Sequence, residues 1–116
     1  MEERIWTIFH RSGYTAAYEP VWQKTVCCGG RAETVQQADG TGKNHSRLTL
    51  RLSAYESRLL DGDGTVLSFG EAHISPGDLV AEGMAEVPEE SAFWRIRSVT
   101  HETGSGRMCG MVIAAE

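Results

Sequence analysis

The sequence predicts a mostly β protein: a small antiparallel barrel or sandwich of five to seven short strands with at most one or two short helices. Two stretches alternate apolar and polar side chains with period two, which is typical of strands that bury one face. The 13 glycines cluster between such stretches, where short strands need turns. At 116 residues the chain has the size of one domain, so we expect a single β domain over residues 1–116.

The clearest strand runs from Arg47 to Leu52, where leucine takes every second position and arginine or threonine takes the others. The leucines would face the core, and Arg47 and Arg51 would face outward. Apolar runs at residues 5–10 and 23–28 predict two more strands, the second followed by a pair of glycines.

The C-terminal region predicts an antiparallel hairpin. Two β-rich runs, residues 93–100 and 107–114, are separated by a glycine-containing turn. Within the first run, Arg95 and Arg97 alternate with Trp94 and so lie on the opposite face. The arginines that alternation turns outward are candidate interface residues: Arg47, Arg51, Arg95 and Arg97.

Helical patterns are short and loops are long. Residues 53–60 show approximate helical spacing, and residues 89–93 could add one turn. The polar segment 36–46 is too long for a tight hairpin, so we expect a mobile loop there and a second one over residues 60–70.

Composition and charge exclude several classes of protein. The formal net charge of −5 gives no general attraction to nucleic acid phosphates or anionic membranes. No apolar run approaches the ~20 residues of a membrane-spanning helix, and the first residues are acidic where a signal peptide is basic. Three cysteines, two of them adjacent, are a poor disulfide framework and favour a reducing cytoplasm.

The motifs that carry chemistry are incomplete. Asp61 to Thr65 resembles the start of a calcium loop, but the glycine and glutamate that such a loop requires are replaced by Val66 and Ala72. A turn built on Asp-Gly explains the segment better. The four histidines lack close-spaced partners, and no phosphate-binding or nucleophile motif is present. We therefore expect no catalytic residue, no cofactor and no metal.

Two other functions remain open at this point. Outward arginines on a small β protein are compatible with binding of single-stranded nucleic acid or another ligand, although 16 acidic residues oppose it, so nucleic acid is not the expected partner. An enzyme with dispersed catalytic residues would need a nucleophile such as the Cys27 or Cys28 thiolate, which requires a lowered thiol pKa.

The segment Ile74–Gly83 predicts a well-defined turn followed by a short strand. Pro76 and Gly77 suit the corner of a type II turn, and the Asp78 carboxylate can accept hydrogen bonds from nearby backbone amides. The strand would begin at Leu79 and end at Gly83. The residues Pro76, Gly77, Asp78 and Gly83 are therefore expected to have a structural role.

The order of these features resembles a known group of proteins. The features are the run Trp6–His10, the element Trp22–Val26, the Pro-Gly-Asp segment Ile74–Gly83, and the hairpin segment Ile96–Ser105 with its short final strand. In this order they resemble the small structural proteins that tailed phages and prophages of Gram-positive bacteria encode, in the head-completion and minor-capsid gene group. Residues 31–46 have no counterpart in the resemblance.

The resemblance implies a β-barrel-like subunit that forms a ring between portal and tail. A head–tail connector or minor capsid component of this kind binds copies of itself and neighbouring connector, portal or tail proteins. It implies a homo-oligomer without cofactor or catalytic residue. It also implies a virion component that is present in the bacterial cytoplasm during assembly.

Overall fold

The computed structural model describes residues 4–38, 40–42, 44–86, 93–104 and 107–116, and these form nine strands and no helix. The strands are β1 (Ile5–Tyr14), β2 (Pro20–Cys28), β3 (Arg31–Ala38), β4 (Asn44–Ser53), β5 (Arg58–Leu60), β6 (Val66–Leu67), β7 (Leu79–Glu82), β8 (Phe93–Gly104) and β9 (Arg107–Ala115).

All neighbouring strands pair antiparallel in one sheet with the order β3-β4-β9-β8-β7-β1-β2-β5-β6. Strand β8 belongs to both parts of this sheet, since its first residues pair with β7 and its remaining residues pair with β9. A register shift between Ile96 and Ser98 marks the change, and such irregularities bend a strand. We call β5, β6, β7, β1 and β2 the first half-sheet, and β3, β4 and β9 the second.

Both half-sheets contribute to one apolar core. Alternate residues of β4 face it, namely Leu48, Leu50 and Leu52, and burying one such side chain contributes roughly 1.5–3 kcal/mol. Its main buried members are Trp6, Ile8, Cys27, Leu59 and Val80 of the first half-sheet, Leu48, Leu50, Leu52, Met111, Ile113 and Ala115 of the second, and Ile96 of β8.

The chain passes from the first half-sheet to the second through Gly29 and Gly30. Gly29 has a φ of 79°, which favours glycine. A Cβ atom on Gly30 would lie 2.8 Å from Leu52 Cδ2 and 3.0 Å from Leu50 Cδ1, so the backbone approaches the core closely here. The two glycines therefore let β2 continue into β3 while the sheet changes direction.

A second, smaller cluster covers the outer face of the first half-sheet. It consists of Phe9, Leu79, Ala81 and Ala85, with Trp22 packed against them. The buried Thr7 hydroxyl donates to the Gly83 carbonyl at 2.7 Å and accepts from the Ala85 amide at 3.2 Å. These bonds hold the segment after β7 against the sheet, whereas the outer face of the second half-sheet carries exposed arginines.

The mostly β, antiparallel class is confirmed, and so are the strands that alternation indicated in β1, β2, β4, β8 and β9. The predicted number of five to seven strands is too low for the described residues, because β3, β5 and β6 lack a clear apolar alternation. The order runs from β3 to β6 without pairing of these end strands, so the sheet is not closed into a barrel.

The helix predicted over residues 53–60 is wrong. The Glu56 and Ser57 amides both donate to the Ser53 carbonyl, which makes a single turn, and β5 follows at once. Leu59 pairs with Cys27 and is fully buried, so tertiary packing favours the strand. The helical turn predicted over residues 89–93 lies outside the described residues, except that Phe93 begins β8.

The two predicted loops are shorter than expected. Residues 36–38 belong to β3 and residues 44–46 to β4, so the connection covers only residues 39–43. Polar side chains suit this pair of strands because ladder hydrogen bonds, rather than burial, hold it together. Within residues 60–70, Val66 and Leu67 form β6 and pair with β5.

Replacing Gly110 by alanine should destabilise the fold. A Cβ atom there would lie 2.9 Å from the Leu52 backbone oxygen, which cannot move without breaking the β4–β9 ladder. We expect Gly110→Ala to lower the free energy of unfolding by about 1–3 kcal/mol in urea titrations followed by tryptophan fluorescence. The control Gly13→Ala, with no atom within 4 Å of the added Cβ, should change it by less than about 0.5 kcal/mol. Equal effects of the two changes would contradict the close approach.

Candidate protein–protein interface

Strands β3 and β4 form a two-stranded ribbon that extends past the rest of the sheet. Their ladder runs without a register shift from Arg31 opposite Arg51 to Ala38 opposite Asn44. Strand β9 joins β4 only from Leu48 onward. Among the described residues, residues 44–47 of β4 therefore have backbone ladder partners in β3 alone.

The outer edge of this ribbon, residues 31–38 and hereafter the β3 edge, is exposed. Within the described part of the chain, β3 pairs only with β4, so one row of its backbone N–H and C=O groups has no protein partner. Its side chains are solvent-exposed from Glu33 to Gln36, and Val35 is 50 % exposed. Ala32 alone among residues 31–36 is partly buried and packs against the core.

Two of the four candidate arginines converge on one carboxylate. Arg47 Nε lies 3.4 Å from Glu116 Oε1, and Arg97 Nε lies 3.3 Å from Glu116 Oε2. Both guanidinium groups are more than half exposed, and they border a shallow cleft of about 200 Å³ with Ala114 and Thr49. Such exposed pairs contribute little to stability, but they place two guanidinium groups beside the ribbon.

The other two candidate arginines lie elsewhere. Arg51 is exposed on the same face of β4 and stands directly opposite Arg31, whose guanidinium makes a two-point pair with Glu56 at 2.9 and 3.1 Å. Arg95 lies across the bend of β8 and borders a cavity of about 320 Å³ with Arg11 and Trp22. The structure therefore groups Arg47, Arg51 and Arg97 near the ribbon and separates Arg95 from them.

The Pro-Gly-Asp segment forms a turn that is tied to β1. Gly77 has a φ of 96° and the Asp78 amide donates to the Ser75 carbonyl at 3.1 Å, which is type II geometry after Pro76. The Asp78 side chain, only 7 % exposed, accepts from the Ser75 amide at 2.8 Å. It also lies 2.9 Å from Nδ1 of His10. One carboxylate thus fixes the turn and its distance from β1.

This cluster does not have the geometry of a catalytic triad. The Ser75 hydroxyl lies 3.4 Å from His10 Nδ1, which is the same nitrogen that faces Asp78. A triad histidine uses one nitrogen for the carboxylate and the other for the nucleophile. The ring of His73 stacks on His10 with centroids 6.0 Å apart, so the arrangement holds the turn in place rather than activating a hydroxyl.

The neighbouring cavity of about 450 Å³ is bordered by acidic residues that are engaged in local turns. Asp61 Oδ1 accepts from the Asp63 and Thr65 amides, both at 2.9 Å, which is the Asp-Gly turn expected from the sequence. Hydrogen bonds from the Ser68 side chain and amide lower the pKa of Glu71. Among the described residues, no group of three or more histidine, cysteine, aspartate or glutamate side chains is placed to hold a metal ion.

The cysteines lie in or near the core. Cys27 is fully buried, and burial raises the pKa of its thiol, with a further contribution from Cys28. A raised pKa opposes formation of the thiolate that a cysteine nucleophile needs. The thiolate hypothesis for Cys27 therefore has no support from its surroundings.

Sequence reasoning missed two features of this surface. The histidines have no close-spaced partners in the sequence, yet the His10 side chain, 27 % exposed, lies against Asp78. No spacing rule links residues 68 positions apart. The sequence does not predict the β3 edge because its side chains are mostly polar. The two glycines before it do indicate that the chain changes direction.

Comparison with protein-family models, with curated protein sequences and with solved structures found no match for this chain. In the part of the chain that the structure describes, no helix has the length and apolar character needed to cross a membrane.

Loss of the Asp78 carboxylate should destabilise the fold. We expect Asp78→Ala to lower the free energy of unfolding by about 1–3 kcal/mol, because the Ser75 amide and His10 both lose a partly buried partner. Urea unfolding of this variant is compared with urea unfolding of Asp63→Ala. Because the Asp63 side chain is exposed, its loss should change the free energy of unfolding by less than about 0.5 kcal/mol. Comparable losses in both variants would show that the turn does not depend on this carboxylate.

The rate of alkylation should differ among the cysteines according to how deeply each thiol is buried. In the native protein we expect iodoacetamide to modify Cys109 first and Cys27 last, because Cys109 is partly exposed whereas the Cys27 thiol is buried and has a raised pKa. Peptide mass spectrometry gives the rate at each site, and labelling in urea is the control. Faster labelling of Cys27 than of Cys109 in the folded protein would revive the thiolate hypothesis.

Proposed function

We propose that the protein is a non-enzymatic assembly subunit of a phage or prophage particle, a head–tail connector or minor capsid component that acts through protein–protein contacts. The observation that supports this most is the β3 edge, an eight-residue strand whose outer edge pairs with no other strand of the described residues. A free strand edge is a template for pairing with a strand of another chain.

Beyond its first three residues, which include Arg31 and Glu33, the β3 edge lacks the devices by which proteins protect such strands. Proteins that stay monomeric use charges, prolines, bulges or very short edge strands. Residues 34–38 contain neither a charge nor a proline, and the ladder to β4 has no register shift. The opposite edge of the sheet is formed by β6, which has only two residues. One edge is thus short and the other is long and open.

The charged side chains beside the ribbon suit the margin of a protein interface. Arg47, Arg51 and Arg97 are exposed, and only the first and last share an acidic partner. Charges around a contact surface steer association and fix orientation more than they add affinity. Acidic segments of neighbouring particle proteins are the expected counterparts of this side.

The resemblance to phage head-completion and minor-capsid proteins supplies the biological setting. The Pro-Gly-Asp turn and the C-terminal hairpin, on which that resemblance rests, are parts of the scaffold that holds the ribbon. Portal, connector or tail proteins are the proposed partners, together with further copies of the chain. The proposed location is the virion, after assembly in the bacterial cytoplasm.

Binding of single-stranded nucleic acid has less support. Such sites combine a continuous positive groove with aromatic rings on which bases stack. Here Arg31 pairs with Glu56, and Arg47 and Arg97 share Glu116, so much of the positive charge is neutralised locally. The positive charge near the ribbon that is not neutralised in this way is better suited to binding acidic side chains of another protein.

The proposal is tested on particles from cells that carry the gene. Mass spectrometry of purified particles should find the chain at a fixed ratio to the portal protein, and deletion of the gene should yield unjoined heads and tails in electron micrographs. Restoration by the intact gene is the control. The proposal would be overturned if the chain were absent from particles and infectivity were unchanged after deletion of the gene. A position of the gene within a metabolic operon would also overturn it.

A further inference from the structure

We infer that the β3 edge pairs antiparallel with the β3 edge of a second copy, across a two-fold axis centred on Val35. The inference rests on the proposed assembly function and names the first partner of that surface. It follows from the length of the edge, from its charge pattern and from the exposure of Val35.

Symmetry limits the possible registers. A two-fold axis perpendicular to the sheet places the outward-facing residues of one copy opposite the outward-facing residues of the other. In such an antiparallel pair, the residue on the axis lies opposite the same residue of the second copy. The registers that use most of the β3 edge are centred on Thr34 or Val35. Centring on Val35 pairs each of residues 32–38 with residues 38–32 of the second copy, which makes seven pairs.

Charge selects between the registers. Centring on Glu33 would place two glutamates directly opposite each other, and like charges in that position are destabilising. Centring on Thr34 leaves the two glutamates on diagonal positions. Centring on Val35 separates them by four residues along the strand, about 14 Å, and places Glu33 opposite Gln37.

The Val35 register also covers an exposed apolar side chain. Val35 is 50 % exposed on the outward face, and the register places it against Val35 of the second copy. β-branched pairs of this kind stabilise neighbouring strands. On the other face of the same ladder the described side chains, Ala32, Thr34 and Gln36, carry no charge, so the register brings no like charges together there.

The β6 edge is a poor alternative partner. Pairing β3 head to tail with β6 would form at most two residue pairs, because β6 contains only Val66 and Leu67. The β3–β3 ladder instead forms roughly six to eight new hydrogen bonds. A contact through a single strand edge is small compared with the ~1,200 Å² of stable interfaces, so we expect a reversible dimer with a dissociation constant of about 10–100 μM.

Sedimentation velocity over a concentration range of about 1–500 μM tests the inference. The wild-type chain should shift from monomer to dimer, and Val35→Lys should weaken dimerisation at least tenfold, since two lysines would face each other at the axis. The matched control is Val66→Lys, which alters another exposed valine, 65 % exposed, on the opposite edge and should dimerise like the wild type. The unfolding midpoint of each variant shows whether the fold is retained.

Cross-linking tests the register independently. In a Cys109→Ser background, Val35→Cys should give a disulfide-linked dimer on mild oxidation, because residues opposite each other in a ladder have Cβ atoms within bonding reach. Glu33→Cys should not, since it would face Gln37 of the second copy. A wild-type chain that stays monomeric throughout, a Val35→Lys variant that dimerises normally, or cross-linking through position 33 would each overturn the inference.

These results are separable from the test of the proposed function. A monomeric chain that is nevertheless found in particles would remove the β3–β3 contact and leave the assembly role. A chain that dimerises through Val35 but is absent from particles would remove the phage role and leave the contact.

Discussion

Burial of one apolar core between two halves of the same sheet is the constraint on which the described structure depends. A sheet of nine strands buries its core only if it bends, and the bend occurs where β8 changes partner and where β2 continues into β3. Gly30 fits this requirement because a Cβ atom there would come into close contact with the side chains of Leu50 and Leu52. The positions of the other strands follow from these two bends.

The same constraint explains why the two half-sheets differ on their outer faces. The segment after β7 covers the first half-sheet, and the hydroxyl of Thr7 on β1 makes the hydrogen bonds that hold this segment in place. The second half-sheet has exposed arginines on its outer face and ends in the open β3 edge. Contacts with other proteins are therefore proposed on the second half-sheet.

The turn at Pro76 shows how local and distant interactions combine. Proline and glycine determine the corner by their backbone preferences, which act within four residues. The Asp78 carboxylate then joins that corner to His10 on β1. Because β1 lies in the middle of the first half-sheet, this contact also fixes the turn relative to the strands on either side of β1.

The sequence by itself determined the fold class and the strands whose side chains alternate, because alternation is a local consequence of burying one strand face. Leu48, Leu50 and Leu52 face the core as the pattern predicts, and Arg95 and Arg97 face away from it. The outward candidate arginines and the Pro-Gly corner could be named for the same reason, since both depend only on neighbours along the chain.

Only the tertiary structure decided the number of strands, the open sheet order, and which candidate residues meet. Strand β3 is polar, and the sequence predicts no strand there and a loop over residues 36–46, yet its ladder with β4 needs backbone hydrogen bonds rather than apolar side chains. Arg47 and Arg97 share Glu116, and His10 meets Asp78, because pairing of strands distant along the chain brings these residues together. Such pairing carries no local signature, so periodicity could not reveal it.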